Sequence, residues 1–165
     1  MGAGKTKIGS VLASKLDLVF QDADDEIVKS AGQSIADIFE LYGEQAFRDL
    51  EEKVITRLIQ ESAEQGKVIS LGGGAVMNPA IASLVWESGL SVWLVASLDS
   101  MVERTTSGVQ KRPLLEKGNP REILQDLIEK RYPVYQNANI RVETDAGSVK
   151  ETAIEIIEEI DQYYV

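Results

Sequence analysis

The chain has 165 residues, 44% of them hydrophobic, a proportion that suits one globular domain spanning 1–165 with a core of its own. No apolar run approaches the ~18 residues of a membrane span and no basic segment leads into an apolar one as in a secretory signal, so the reading is a cytoplasmic protein with no membrane partner. Zero Cys excludes disulfide and thiolate metal chemistry, and a net charge of −10 argues against nucleic acid as the main partner.

The first stretch, Gly2-Ala3-Gly4-Lys5-Thr6, reads as the second half of a phosphate-binding loop, G-x-x-x-x-G-K-[ST]. Small residues let successive backbone N–H groups surround phosphate oxygens, and a helix beginning near Lys5 adds its positive end. The Lys5 ammonium suits the outer phosphates, and the Thr6 hydroxyl suits Mg²⁺. Ile8, Val11, Leu12 and Leu16 continue at helical spacing, which predicts a helix from Lys5 to about Leu16.

Leu18-Val19-Phe20 predicts a short buried strand that runs into Asp22-Ala23-Asp24. Carboxylates just past the C-terminal end of a strand stand where α/β sheets bind ligands. The alternative is an acidic turn capping the next helix. Beside a phosphate loop, a role with metal and substrate is the stronger reading. Helix follows to about Ala31, with Gly32 as its breaker. Ser34 caps a short amphipathic helix ending at Gly43, and a longer one runs on from Glu44 with Phe47, Leu50, Val54 and Leu58 inward. Arg48 points off that apolar face, and Glu51 at i+3 can orient it. An ordinary solvated pair would share this spacing.

Val68 to Leu71 predicts the next strand, followed at once by Gly72, Gly73 and Gly74. Three glycines in a row suit either a close approach to the backbone or a tight turn. Pro79 to about Ser88 reads as helix, Leu90 to Val95 as strand and Ser100 to Thr106 as helix. Residues 105–120 are polar, lack a period and contain Lys111 and Arg112 before Pro113-Leu114-Leu115. A segment of this kind is a lid or a surface loop. A helix then runs from Arg121 to Arg131 and is expected to stop at Pro133. Arg131 at a helix end has an electrostatic reason to be there with or without a ligand. A last strand spans Ile140 to Glu143, and Ser148 opens a final helix.

With zero His, acid–base work falls to Asp, Glu or Lys. In order and spacing, Gly2-Ala3-Gly4-Lys5-Thr6, Asp22-Ala23-Asp24, Gly43-Glu44-Gln45-Ala46-Phe47-Arg48, Glu51-Glu52, Leu71-Gly72-Gly73-Gly74-Ala75-Val76, Lys111-Arg112-Pro113-Leu114-Leu115 and Lys130-Arg131-Tyr132-Pro133 resemble the shikimate kinase family. The resemblance implies a three-layer αβα P-loop kinase fold, with a five-stranded parallel sheet, a substrate-binding segment at about 23–50 and a mobile lid at about 105–120. It implies transfer of the ATP γ-phosphoryl group to the 3-hydroxyl of shikimate, on the route to chorismate and the aromatic amino acids, by a monomer.

Residue roles follow from the same resemblance. Gly2, Ala3, Gly4, Lys5 and Thr6 cradle ATP, with Arg104 near adenine. Thr6 and Asp22 serve Mg²⁺. Asp24 is the base, and Arg112 meets the transferring phosphoryl group. Arg48 and Arg131 hold the shikimate carboxylate against Gly72, Gly73 and Gly74, and Glu51 orients Arg48. Family members begin with an apolar strand before the loop. That strand and the loop's first Gly are missing from these 165 residues, which leads to the expectation that the functional product starts upstream. The other readings are a noncatalytic relative that binds metabolite or partner, and a kinase of another small hydroxy acid such as gluconate.

Overall fold

The structure is a computed structural model that describes residues 2–107 and 118–165. Element order is α1 (Lys5–Leu16), β1 (Val19–Asp22), α2 (Ala23–Ala31), α3 (Ile35–Ser62), β2 (Lys67–Ser70), a 3₁₀ turn (Ala75–Met77), α4 (Pro79–Ser88), β3 (Val92–Val95), α5 (Leu98–Thr106), α6 (Pro120–Tyr135), β4 (Ile140–Glu143) and α7 (Val149–Tyr163). The chain divides into two compact units, one of residues 9–89 and one of residues 1–8 with 90–165. Among the described residues each unit holds one pair of parallel strands: β1 with β2, and β3 with β4. Parallel neighbours need a crossover of a dozen or more residues, and α2, α3, α5 and α6 lie in those crossovers.

In the 9–89 unit, α2 and α3 bury Ala23, Ile27, Ile38, Phe47, Val54, Ile55 and Leu58 together with Ala75 and Ile81. Ile27, Ile55 and Leu58 are fully enclosed, so each stabilises the unit by about 1.5–3 kcal/mol. Helix starts follow their side chains. Asp22 caps α2 by accepting the Asp24 N–H at 3.0 Å. Ser34 and Asp37 form a reciprocal capping box at the start of α3, satisfying donors that the first helical turn leaves free. Asn78 caps α4, with Pro79 in the first turn where its missing N–H costs nothing.

The short and long helices expected on either side of Gly43 are present as α3. Gly43 interrupts them at φ 82°, ψ 173°, a conformation open essentially to glycine alone. Nothing lies within 4 Å of where its side chain would stand, so the backbone angle and not space requires glycine there.

In the other unit, Ala3, Ala96, Met101 and Leu124 form the buried cluster, flanked by Leu94, Leu98, Ile128 and Tyr132. Along β4, Ile140 and Val142 are buried while Arg141 and Glu143 face out. Ser148 and Glu151 box the start of α7. The structure corrects the expected end of α6. The helix continues past Pro133 to Tyr135, and the Gln136 N–H still reaches the Tyr132 carbonyl. Proline removes its own N–H bond and crowds the carbonyl four residues back, but here that cost falls on the last turn, and the helix carries on to Tyr135 with Arg131 inside it. Thr105 and Thr106 close α5, in agreement with the helix expected to end at Thr106. Thr105 is buried, with its hydroxyl donating to the Met101 carbonyl at 2.6 Å.

Gly43→Ala is expected to destabilise by about 1–3 kcal/mol from backbone strain. Gly89→Ala, at an extended φ of −166° in open space, is the control. Urea midpoints for the two variants compare them, and equal midpoints contradict the assignment of strain to Gly43.

Candidate active site

The phosphate loop lies at the head of α1. Gly2 and Gly4 take φ 74° and 84°, angles that side chains rarely tolerate. At Gly2 a Cβ would also stand 3.2 Å from the Met101 backbone. Ala3 between them is buried at 7% exposure, in the cluster with Ala96, Met101 and Leu124. The Ile8 N–H closes the first helical bond on the Gly4 carbonyl at 2.9 Å. The first turn of α1 carries no acidic residue, so no side chain of that turn neutralises its positive end. Lys5 and Thr6 are the first two residues of the helix.

Arg104, expected near adenine, is anchored on that loop. Its Nη1 donates to the Gly2 carbonyl at 3.2 Å and to Thr144 Oγ1 at 3.1 Å, and its Nη2 donates to the Thr144 carbonyl at 2.9 Å. Asp145 stands 3.7 Å from the same guanidinium and accepts the Ser97 N–H at 2.7 Å. Although burial pushes the other way, the Ser97 and Ser100 hydrogen bonds and the Arg104 charge hold the Asp145 carboxyl below its usual value. Thr144 and Asp145 went unnoticed in the sequence, although they follow directly on β4, at the strand end where α/β sheets place ligands.

The 9–89 unit carries a second cluster. A Cβ on Gly72 would stand 3.1 Å from Asp24 Oδ1 and 3.3 Å from Glu51 Oε1, and one on Gly74 would stand 3.0 Å and 3.2 Å from the two Nη atoms of Arg48. Neither glycine has a positive φ. Of the two readings of the glycine run, close approach is therefore the one observed at Gly72 and Gly74: side chains of α2 and α3 lie against this backbone.

Arg48 Nη1 donates to Glu51 Oε2 at 2.7 Å. Glu51 is only 2% exposed, so the solvated-pair alternative fails. Arg48 Nη2 reaches Glu44 Oε1 at 3.3 Å, and the guanidinium lies 5.2 Å from the Phe47 ring centroid. Burial works against the Arg48 charge, but Glu51 and Glu44 outweigh it and raise its pKa. Phe47 itself pairs with Phe39 at 4.6 Å. Glu44 had a place in the sequence motif but no expected contact, and the two rings had no expected pairing, although Glu44 stands four residues before Arg48, a spacing that signals contact.

Asp22 caps α2 through its side chain. Arg131 is half-buried in α6, and its guanidinium hydrogen-bonds the Tyr135 hydroxyl. Burial raises the Tyr135 pKa, and Arg131 offsets part of that rise. Arg112, with Lys111 and Pro113 to Leu115, lies outside the described residues. So does most of the expected lid.

A glycine-lined loop at a helix head, followed by parallel β–α units, defines a P-loop nucleotide-binding protein. Within that class, the family model described as shikimate kinase matches residues 1–161, and the chain belongs to that family. It is 45% identical to a shikimate kinase of Novosphingobium aromaticivorans over 164 residues, covering 99% of this chain and 84% of that protein. A Brucella canis shikimate kinase is 43% identical over 158 residues, covering 96% and 77%. The structure matches that of Acinetobacter baumannii shikimate kinase in complex with shikimate, with a TM-score of 0.89, 34% identity and coverage of 98% and 89%. It matches Aquifex aeolicus shikimate kinase with a TM-score of 0.81, 31% identity and coverage of 99% and 93%. The fold is thus the α/β fold of these kinases.

The Arg48–Glu51 pair is expected to show strong coupling. In a double-mutant cycle of Arg48→Ala and Glu51→Ala followed by urea unfolding, the coupling energy should fall at about 1–3 kcal/mol, as for a contacting charged pair. Additive single effects contradict the pair's role.

Proposed function

We propose that this protein transfers the γ-phosphoryl group of ATP to the 3-hydroxyl of shikimate, as one kinase domain. The observation that carries the reading is the cluster around the glycine run: a buried carboxylate fixes a guanidinium, and the Asp24 carboxylate lies against the same backbone at Gly72. A guanidinium fork is suited to a carboxylate ligand, and a carboxylate acceptor is suited to a hydroxyl cluster. Shikimate offers both. The relatives named above, 43% and 45% identical, support the same substrate.

In the proposed reaction the shikimate O3 forms a bond to Pγ while the bond from Pγ to the β-bridging oxygen breaks. ADP leaves, and the hydroxyl proton passes to Asp24. A loose transition state asks little basicity of that carboxylate, which suits an exposed Asp. Alignment and positive charge do most of the work. Lys5 supplies charge at the β- and γ-phosphates, and the loop N–H groups of Gly2 to Thr6 orient them. Arg112 is assigned to the transferring group on sequence alone. Arg104 holds Gly2 and is offered to adenine. Arg48 takes the substrate carboxylate, with Arg131 as the second cation assigned to it and Gly72 to Gly74 as the backbone beside it.

Thr6 and Asp22 bring hydroxyl and carboxylate oxygens, the hard donors Mg²⁺ takes, and magnesium held there would supply positive charge to the phosphate oxygens. Among the described residues no helix is long and apolar enough to cross a membrane. The proposal includes a monomer in the cytoplasm.

ADP formation with MgATP, measured separately with shikimate and with gluconate, tests the reaction and its substrate. Shikimate-dependent ADP is expected from the wild-type chain. Asp24→Asn should lower kcat by about 100-fold or more, as for loss of a general base, while circular dichroism shows a folded protein. Gluconate-dependent turnover, or near-normal kcat in Asp24→Asn, contradicts the proposal.

A further inference from the structure

Arg48 carries two carboxylates from its own helix, and they are not equivalent. Glu51 is 2.7 Å away, and its side chain is 3% exposed. Glu44 is 3.3 Å away, and its side chain is 70% exposed. The remaining surroundings described for this guanidinium are fixed: the Gly74 backbone beside both Nη atoms, and the Phe47 ring at 5.2 Å. Glu51 cannot leave without carrying a charge through the core, because it is enclosed. Glu44 can leave at little cost, since an exposed pair gains only a modest Coulomb energy against water.

The position of Glu44 also gives it somewhere to go. It follows the Gly43 break directly, at the start of the second helical segment of α3. A carboxylate released there remains near the positive end of that segment.

A carboxylate ligand approaching Arg48 meets Nη2 already engaged by an internal carboxylate. We infer that Glu44 is an internal competitor for the substrate carboxylate: it occupies Arg48 in the free protein and must be displaced on binding. The inference rests on the assignment of Arg48 to the substrate acid. It makes Glu44 a residue that lowers the affinity of this site for every carboxylate by a common factor. A small acid that offers only a carboxylate exchanges one ion pair for another and gains little. One whose hydroxyls also engage Asp24 gains enough to bind. Glu44 thus sets a threshold against the many simple carboxylates of a cell, at the expense of some affinity for the correct one.

Calorimetric titration of wild-type, Glu44→Gln and Glu44→Ala proteins tests this, with shikimate and with 1-cyclohexene-1-carboxylate, a ring acid lacking the hydroxyls. Both variants should bind both acids about twofold to fivefold more tightly at low salt, in keeping with an exposed pair. The gain should shrink at high salt, where surface charges are screened. A merely structural role for Glu44 predicts weaker binding on substitution. Unchanged or weaker binding of shikimate by both variants, alongside normal wild-type binding, overturns the inference and leaves the Arg48 assignment standing. Wild-type protein that binds neither acid overturns both.

Discussion

Glu51 is enclosed in the helix-packed core of its unit, and Arg48, one turn earlier on the same helix, reaches back to it at 2.7 Å. That contact constrains everything around the glycine run. A long side chain held at one end by a buried charge loses its freedom when the protein folds and not when the ligand arrives, so the ordering cost falls outside binding. The guanidinium lies so close to the Gly74 backbone that a Cβ there would stand 3.0 Å from Nη1, a crowding that a residue without a side chain avoids. Gly74 follows from Arg48, Arg48 from Glu51, and Glu51 from the packing of α3. The interior therefore specifies the geometry of the group to which the proposal assigns the substrate carboxylate.

The other unit uses the same device with different residues. Arg104 is tied to the Gly2 carbonyl of the glycine loop on one side and to Thr144 on the other. Asp145 joins that network to the start of α5 through the Ser97 N–H. The Asp145 carboxyl titrates below its usual value, so the charge it gives Arg104 is present at neutral pH and is lost only as acid carries the pH through that lowered pKa. Loop, α5 and the end of β4 are thus tied together through one guanidinium and its Asp145 partner.

Much of this was legible in the chain because the signals were local. Lys5–Leu16 and Pro79–Ser88 have the ends that their apolar spacing and breakers announce, and Ser34 and Ser148 cap the helices they were expected to open. The glycine run was legible as unusual but not as close approach, because the atoms that crowd it belong to Asp24, Arg48 and Glu51, far away in sequence. Pro133 misled because its rule concerns the hydrogen bond it removes, and near a helix end that bond matters least. Thr144 and Asp145 carry no motif of their own, and only their contacts with Arg104 give them a role.

Central to the account is that a preset Arg48 recognises the substrate through its carboxylate. The most direct measurement is calorimetric binding of shikimate beside its methyl ester, which keeps the ring and hydroxyls but removes the charge. A charge-assisted pair is worth roughly 1.5–3 kcal/mol, so the ester should bind at least about tenfold more weakly. Equal affinity for acid and ester would contradict the assignment and move recognition to the hydroxyls alone.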